Sequence, residues 1–244
     1  MKSISPNLNI MIKACEKASK ILIRDFGEIE NLQVSKKGPK DFVTNADKKV
    51  EQFLIKELSK KKYSIISEEE GIIIKENKEE FWIIDPIDGT INFLHGIPHF
   101  CISLAYAREN EVISGVIFDP IKNEIFFGEK NSGSFFNNQR IRVSKKNDLN
   151  ECLFGSNLEG IKSINLNTRI TGSAALDMAY VASGRLDGFF QKNLNIWDIA
   201  AGSVILSEAG GKMSHIDIKK TKNHKIIASS EIIYSDLNKL LINF

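Results

Sequence analysis

The sequence predicts a mixed α/β fold arranged as two lobes, and three observations support this. The chain has 244 residues, which is long for one domain and short for two full ones. Up to about residue 145, the apolar pattern is that of two helices followed by a mostly antiparallel sheet. From there to the C-terminus, helical and strand patterns alternate. We therefore expect an N-terminal lobe over residues 1–145 and a C-terminal α/β lobe over residues 146–244.

Two helices are expected to open the first lobe. The first is amphipathic and ends near Gly27, because apolar residues recur at helical spacing with Lys and Glu between them, at Leu8, Met11, Cys15, Ala18 and Leu22. A polar turn over Asp41–Thr44 precedes the second helix, which runs to about Ser59. Thr44 is expected to be its N-cap and Asp47 its third residue, as in a capping box.

Strand patterns fill the rest of the first lobe. A short buried strand over Tyr63–Ser67 and an apolar run over Phe81–Ile84 come first. Three β-rich runs follow, over Cys101–Ala107, Val112–Phe118 and Glu124–Gly128. Asn137 and Asn138 then predict a hairpin turn between strands at Ser134–Phe136 and Arg140–Val143.

The second lobe alternates between helices and strands. Helices are expected over Ser173–Ala182, Asp198–Ala209 and Glu231–Ile242, and strands over Leu186–Phe190 and Lys225–Ala228. Gly184 and the pair Gly210–Gly211 mark helix ends. The polar segment Lys145–Glu151 is expected to be the loop between the lobes.

Composition excludes several classes of protein. Lys and Arg number 33 and Asp and Glu 31, so the formal charge is +2 and a nucleic-acid partner bound by bulk charge is not expected. The longest stretch without charged residues, Gly89–Ala107, contains Asn92, His95 and Pro98, so we expect no membrane span. The three cysteines are widely spaced without a C-x-x-C pair, which predicts a cytoplasmic protein without disulfides or a zinc site.

The segment Asp85–Thr90, with sequence DPIDGT, is the most informative one for chemistry. It follows an apolar strand, so its side chains lie at a strand's C-terminal end, where ligand sites gather in α/β folds. Two carboxylates around a proline, Asp85 and Asp88, need a counter-charge if both are buried. Mg²⁺ is a suitable one, and the backbone N–H groups of Gly89 and Thr90 could hold phosphate oxygens. A plain surface turn explains the same spacing equally well.

Other acidic positions also have ordinary structural explanations when taken alone. The run Ser67–Glu70 is typical of a solvated acidic loop after a strand. Asp198, after Trp197, and Asp47 are both typical helix caps. Spacing by itself leaves the choice between these explanations and a metal site open.

Taken together, five segments resemble the inositol monophosphatase family. Phe81–Phe93 resembles its first signature, and Trp197–Gly202 running on to Gly211 resembles its second. Asp41–Asp47 resembles the family's D-x-V-T-x-x-D segment, Ser67–Glu69 its Glu pair at a strand end, and Gly172–Ala175 its G-[ST]-A-A turn. All five occur in the family's order, and the resemblance covers nearly the whole chain.

The resemblance implies a layered α-β-α-β-α sandwich of the sugar-phosphatase type, with a Mg²⁺-dependent, Li⁺-sensitive phosphomonoesterase site. By position, Glu68, Asp85 and the Ile87 carbonyl would hold one Mg²⁺. Asp85, Asp88 and Asp198 would hold a second, and a third would lie near Glu68 through water. The implied cofactor is therefore two to three Mg²⁺ ions.

The resemblance also implies the remaining roles. The catalytic residues would be Thr90 and Asp47, which orient the attacking water, together with Glu68. The N–H groups of Gly89 and Thr90 would bind phosphate, and Ser173, Ala174 and Gln191 would line the alcohol side. Gln191 stands where inositol-hydrolysing relatives carry a Glu that binds ring hydroxyls, so this position bears on substrate choice.

The resemblance therefore implies hydrolysis of a small polyol or sugar-like phosphate by in-line attack of metal-activated water. Inositol-1-phosphate is the leading candidate substrate. Histidinol phosphate, fructose-1,6-bisphosphate and 3′(2′),5′-bisphosphate nucleotides are alternatives. A non-catalytic role as a partner in a protein or RNA complex is an alternative of another class. The resemblance also suggests a homodimer.

Overall fold

The computed structural model describes residues 4–32, 39–157 and 166–241. Its helices are α1 (Pro6–Leu32), α2 (Pro39–Leu58), α3 (Thr90–Leu94), α4 (Ala174–Ala182), α5 (Ile196–Glu208) and α6 (Glu231–Leu240). The first eight strands are β1 (Tyr63–Ser67), β2 (Gly71–Ile73), β3 (Asn77–Asp88), β4 (Cys101–Arg108), β5 (Glu111–Asp119), β6 (Glu124–Glu129), β7 (Gly133–Phe136) and β8 (Gln139–Arg140). The other five are β9 (Leu153–Gly155), β10 (Asn167–Arg169), β11 (Gly188–Leu194), β12 (Gly211–Met213) and β13 (His224–Ser230).

The strands form two sheets. The larger has eight strands in the order β2-β1-β3-β4-β5-β6-β7-β8, and the smaller has five in the order β10-β9-β11-β13-β12. In the larger sheet all neighbours are antiparallel except β1 and β3, which are parallel. The predicted mostly antiparallel sheet is therefore found. The division of the chain into two lobes remains a prediction.

Three apolar cores define the layers of the molecule. The first lies between helices α1 and α2 and one face of the larger sheet. The second joins the other face of that sheet to α4 and α5, and these to the smaller sheet. The third packs α6 on the outer face of the smaller sheet. The order is thus helices, sheet, helices, sheet, helix, which confirms the predicted layered α-β-α-β-α fold.

Helix α5 packs against the larger sheet at very short range. A Cβ atom at Gly115 of β5 would lie 2.5 Å from the backbone oxygen of Ala201 on α5. Only glycine permits this approach, because real Cβ atoms do not come so close to backbone atoms. The contact fixes the position of α5, and therefore of Asp198 in its first turn, over the sheet.

Several predicted boundaries were wrong. Helix α1 continues through Gly27 to Leu32, because Gly27 does not adopt the left-handed conformation that ends a helix. Helix α2 begins at Pro39, a residue favoured at the first helical position, so Asp41–Thr44 is helical, Thr44 is not an N-cap and Asp47 lies well inside the helix. Helix α5 begins at Ile196, two residues before Asp198.

The second half of the predicted hairpin is shorter than expected, since β8 ends at Arg140. Asn137 and Asn138 have φ of 42° and 70°, as the predicted turn requires. The short strands β2, β9, β10 and β12 were not predicted, because three residues carry too little periodicity to be recognised. Ile242, the predicted end of the last helix, lies outside the described residues.

Candidate metal centre

Parallel pairing of β1 and β3 brings the first two predicted metal ligands to the same edge of the larger sheet. Ser67 at the end of β1 pairs with Ile84 of β3. Glu68 directly follows β1, and Asp85 is the next residue along β3, so the two residues lie side by side. Their carboxyl groups are within hydrogen-bonding reach of each other.

A β-bulge places Asp85 and Asp88 on one face of the sheet. Asp85 pairs with Ser103 and Asp88 with Cys101, so two residues of β3, Pro86 and Ile87, stand opposite one residue of β4. Residues three apart in a regular strand point to opposite faces, and the extra residue at the bulge cancels that difference. Pro86 lies inside the bulge, a position where the missing N–H is tolerated.

The helices between the two sheets, α4 and α5, also contact these carboxylates. Asp88 Oδ2 accepts a hydrogen bond from the Ala175 N–H at 2.8 Å and another from the Ser173 hydroxyl. The thiol of Cys101 is 3.8 Å from the same oxygen. Asp88 therefore lies at the N-terminus of α4, where the helix dipole favours a negative charge.

Asp198 reaches the same region from the first turn of α5. Its Oδ2 accepts a hydrogen bond from the Asn195 N–H at 2.7 Å, so this residue does help to cap the helix, as the third residue rather than the first. Its charge also contributes to the raised pKa of Asp85, after burial and the charges of Glu68 and Asp88.

Asp47 and Thr90 complete the predicted set, although they do not bond to each other here. Asp47 is buried, and its Oδ1 has no hydrogen-bond partner among the described residues. The Thr90 hydroxyl donates to the Ile87 carbonyl at 2.8 Å. Gly89 precedes Thr90 with φ of 95°, and a Cβ there would lie 3.0 Å from the His99 carbonyl, so glycine is required.

The residues predicted to line the alcohol side fall into two groups. Ser173 and Ala174 lie at the start of α4, with the Ser173 hydroxyl committed to Asp88 and to the Leu176 N–H. Gln191 lies half-buried on β11, opposite Ile226 in the smaller sheet. Within the described chain, Gln191 has no hydrogen bond to any of the site carboxylates.

Crowding of negative charge shifts the acidity of the whole group. Burial, with the charges of Glu68, Glu69 and Glu51, raises the pKa of Asp47 to about 8. Burial also raises the pKa of Glu68 to about 7 and that of Asp198 to about 8. The pKa values of Asp85 and Asp88 are raised mainly by burial as well.

The donor set fits a divalent cation by its chemistry. Buried carboxylates need a counter-charge, yet no Lys or Arg of the described residues forms an ion pair with Asp47, Glu68, Asp85, Asp88 or Asp198. The unpartnered Asp47 Oδ1 is a further oxygen acceptor of the kind that Mg²⁺ and its waters use. No three acidic, His or Cys side chains in the described ranges converge on one coordination point. One oxygen each of Asp85, Asp88 and Asp198 is instead held by a protein donor.

We expect the metal-free chain to lose stability as pH rises from about 5.5 to 8.5. Carboxylates whose pKa values are raised in the folded state bind protons there that the unfolded chain has already released. The stability from this protonation is complete below their unfolded pKa values near 4, and it is lost as pH passes the folded values of about 7 and 8. His99, whose pKa is lowered by burial, acts in the opposite sense as a single group.

Thermal unfolding in EDTA at the two pH values measures this effect. A loss of about 2 kcal/mol would lower the Tm by roughly 4–8 °C in a chain of this length. Millimolar Mg²⁺ at pH 8.5 should restore the Tm, because a cation that binds only the folded state stabilises it. A Tm that rises with pH in EDTA, or that does not change when Mg²⁺ is added, contradicts this account of the buried carboxylates.

One residue that the sequence analysis did not single out also belongs to this region. Glu51 lies one helical turn after Asp47 on α2 and is fully buried. The signal for it was available, since Asp47 and Glu51 interrupt the otherwise apolar stripe of Val50, Leu54 and Leu58. Acidic residues on the buried face of a helix are uncommon unless they have partners.

The sequence matches a model of the inositol monophosphatase family over residues 4–243. An inositol-1-monophosphatase of Mesorhizobium japonicum is 41% identical over 95% of this chain and 94% of its own length. A fructose-1,6-bisphosphatase/inositol-1-monophosphatase of Thermotoga maritima is 39% identical over 96% and 95% of the two chains. A Nus factor SuhB of Xylella fastidiosa is 37% identical over 84% and 80%.

The fold agrees with these sequence relationships. The crystal structure of extragenic suppressor protein suhB from Bartonella henselae superimposes with a TM-score of 0.87 at 41% identity. The match covers 97% of this chain and 98% of that one. The layered arrangement described above is therefore shared with this solved structure over almost the full length of both chains.

Proposed function

The chain belongs to the inositol monophosphatase family and is a phosphatase of phosphate monoesters; from that premise we propose that it depends on Mg²⁺ and that inositol-1-phosphate is its leading candidate substrate. The observation that carries the proposal is the group of carboxylates at the C-terminal ends of β1 and β3, Glu68, Asp85 and Asp88, joined by Asp198 from α5. These side chains lie together, largely out of water and without a cationic side chain.

Two to three Mg²⁺ ions are proposed for this group. Glu68, Asp85 and the Ile87 carbonyl would hold one ion, and Asp85, Asp88 and Asp198 a second, with a third near Glu68 through water. When bound, Mg²⁺ would supply charge neutralisation for the phosphate oxygens and lower the pKa of the attacking water. Every protein ligand in the set is a hard oxygen atom, as Mg²⁺ prefers.

The other residues bind and orient the reactants. The backbone N–H groups of Gly89 and Thr90 lie at the start of α3 and are proposed to hold phosphate oxygens. Asp47 Oδ1 and the Thr90 hydroxyl are proposed to hold the attacking water in line with the departing alcohol. The water oxygen would then bond to phosphorus as the ester P–O bond breaks, and one of the two water protons would pass to the departing alkoxide oxygen, which gives the alcohol and hydrogen phosphate.

Holding Asp88 in place is the role that the structure supports for Ser173. Its hydroxyl contacts Asp88 and caps α4, so it joins a ligand of the larger sheet to a helix of the next layer. Ser173, Ala174 and Gln191 are proposed to line the alcohol side.

Gln191→Glu should shift substrate preference toward inositol-1-phosphate. A Glu accepts charge-assisted hydrogen bonds from neighbouring ring hydroxyls, whereas Gln has one neutral acceptor. The difference is about 1–2 kcal/mol, or roughly 5- to 30-fold in kcat/KM. The measurement is the kcat/KM ratio of inositol-1-phosphate to β-glycerophosphate at one Mg²⁺ concentration. An unchanged ratio, or one that moves toward glycerophosphate, shows that Gln191 does not face the substrate.

A substrate panel tests the identity of the ester. Inositol-1-phosphate is compared with histidinol phosphate, fructose-1,6-bisphosphate and 3′(2′),5′-bisphosphate nucleotides. The name of the Thermotoga maritima relative gives fructose-1,6-bisphosphate specific support as the second candidate. A kcat/KM for another ester that exceeds that for inositol-1-phosphate by about 10-fold or more would reassign the substrate.

A homodimer, sensitivity to Li⁺ and a cytoplasmic location complete the proposal. The first two rest on the family resemblance, and the third also on three cysteines that are free and buried. Of the helices described, none is long and apolar enough to cross a membrane.

The name of the Xylella fastidiosa relative, Nus factor SuhB, leaves a non-catalytic role as the alternative of another class. A folded protein that hydrolyses no ester of the panel would favour it.

A further inference from the structure

Glu51 is a buried carboxylate that the proposed chemistry does not use. It lies on α2 with none of its surface exposed, one turn beyond Asp47. No Lys or Arg in the described part of the chain forms an ion pair with it. Burial of a carboxylate without a cationic partner is costly, so other contacts must compensate for it.

The two oxygens of Glu51 bind two successive backbone amides. The Glu69 N–H donates to Oε1 at 3.1 Å, and the Glu70 N–H donates to Oε2 at 3.1 Å. Both amides belong to the turn that follows β1 and leads into β2, where Gly71 has φ of 73°. The side chain thus joins α2 to this turn by two hydrogen bonds to a charged acceptor, which are stronger than neutral ones.

The turn held in this way begins with Glu68. Pairing of β1 with β3 fixes the chain as far as Ser67, and the first amide bound by Glu51 is that of Glu69. Glu68 is therefore held from both sides, by the sheet before it and by Glu51 after it. Its carboxyl group is directed toward Asp85 under these two constraints.

We propose that Glu51 is a positioning residue that holds the backbone of Glu68 so that its carboxylate is presented to the metal site. The inference rests on the proposed function, because it takes Glu68 to be a Mg²⁺ ligand. Groups that orient metal ligands in this way typically contribute about 10- to 100-fold in metal affinity or activity when removed.

Glu51 also adds negative charge to the region, and that effect must be separated from positioning. Its charge contributes to the raised pKa values of Asp47 and Glu68. Glu51→Gln removes the charge and one of the two acceptors, since the amide NH₂ cannot accept from an N–H. Glu51→Asp keeps the charge and both oxygens, but the side chain is one methylene shorter and does not reach both amides.

The experiment titrates Mg²⁺ by thermal shift and by calorimetry on wild type, Glu51→Gln and Glu51→Asp. The matched control is Glu57→Gln, the same change six residues later on α2, where the side chain pairs with Lys17 of α1. Positioning predicts that the Mg²⁺ midpoint rises about 10-fold in both Glu51 variants and stays unchanged in the control. Hydrogen exchange should show faster exchange at the Glu69 or Glu70 amide in both variants.

A wild-type Mg²⁺ midpoint in Glu51→Asp overturns the inference, since charge alone then explains the loss in Glu51→Gln. Wild-type midpoints in both variants overturn it as well. If wild type itself shows no Mg²⁺ response, the proposed function fails, which is a separate result. If neither variant folds, amide hydrogen exchange in the wild-type chain decides. Protection of the Glu69 and Glu70 amides supports the inference, and exchange at the rate of an open loop contradicts it.

Discussion

Asp85→Asn should abolish Mg²⁺-dependent turnover while leaving the chain folded. Asp85 is the one carboxylate proposed to contact two ions, so its loss removes several kcal/mol of stabilisation of the transition state. A loss of about 4 kcal/mol corresponds to roughly 10³-fold in kcat/KM. Phosphate release from inositol-1-phosphate at saturating Mg²⁺ measures the effect.

The same substitution should raise the Tm of the metal-free protein. Asp85 is buried beside Glu68, Asp88 and Asp198, whose charges raise its pKa, so a neutral amide relieves repulsion. The matched control is Asp25→Asn, a buried position on α1 that pairs with Arg24 and Lys49. There the neutral residue leaves its cationic partners unpaired, so the Tm should fall and turnover should remain. A folded Asp85→Asn protein with wild-type turnover would remove Asp85 from the site.

Thr90→Ala and Asp47→Asn should each lower kcat by about 100-fold, and the double variant should lose little more. If the two side chains act together on one water, removal of either destroys the same arrangement. Asp47 Oδ1 is a buried acceptor without a donor among the described residues, which suits this role. The Thr90 hydroxyl now donates to the Ile87 carbonyl, so it must turn to reach that water.

Thr90→Ser is the matched control for this pair, because it keeps the hydroxyl and should retain most of the turnover. Kinetics of the four-member cycle at one saturating Mg²⁺ concentration give the coupling energy. Losses that simply add would show that Thr90 and Asp47 act independently. Asp47 would then serve the packing of α2 rather than the reaction.

The carboxylates of the candidate site that stand next to clear strand patterns could be located from the sequence. Tyr63–Ser67 was predicted with the bounds that the structure has, and Glu68 follows it directly. The bulge in β3 could not be predicted, since the apolar run Phe81–Ile84 gives no register with β4. Without that register, the spacing of Asp85 and Asp88 did not show whether they share a face.

Contacts between distant parts of the chain explain what the sequence analysis missed. The Ser173 hydroxyl donates a hydrogen bond to Asp88, which lies 85 residues earlier in the chain, and no local sequence pattern predicts this pairing. The apolar stripe of α2 marks Glu51 as a buried acidic residue, but its partners could not be predicted, because backbone amides of another element have no sequence signature. The starts of α2 and α5 were misplaced because Thr44 and Asp198 are good caps that these helices do not use as first residues.

Phosphate release from inositol-1-phosphate by the purified chain, in EDTA and in millimolar Mg²⁺, tests the central claim most directly. We expect turnover in Mg²⁺ to exceed that in EDTA by at least about 100-fold. Asp85→Asn measured in parallel should stay at the EDTA level in both conditions. Equal wild-type rates with and without Mg²⁺ would contradict the metal-dependent phosphatase activity proposed for this chain.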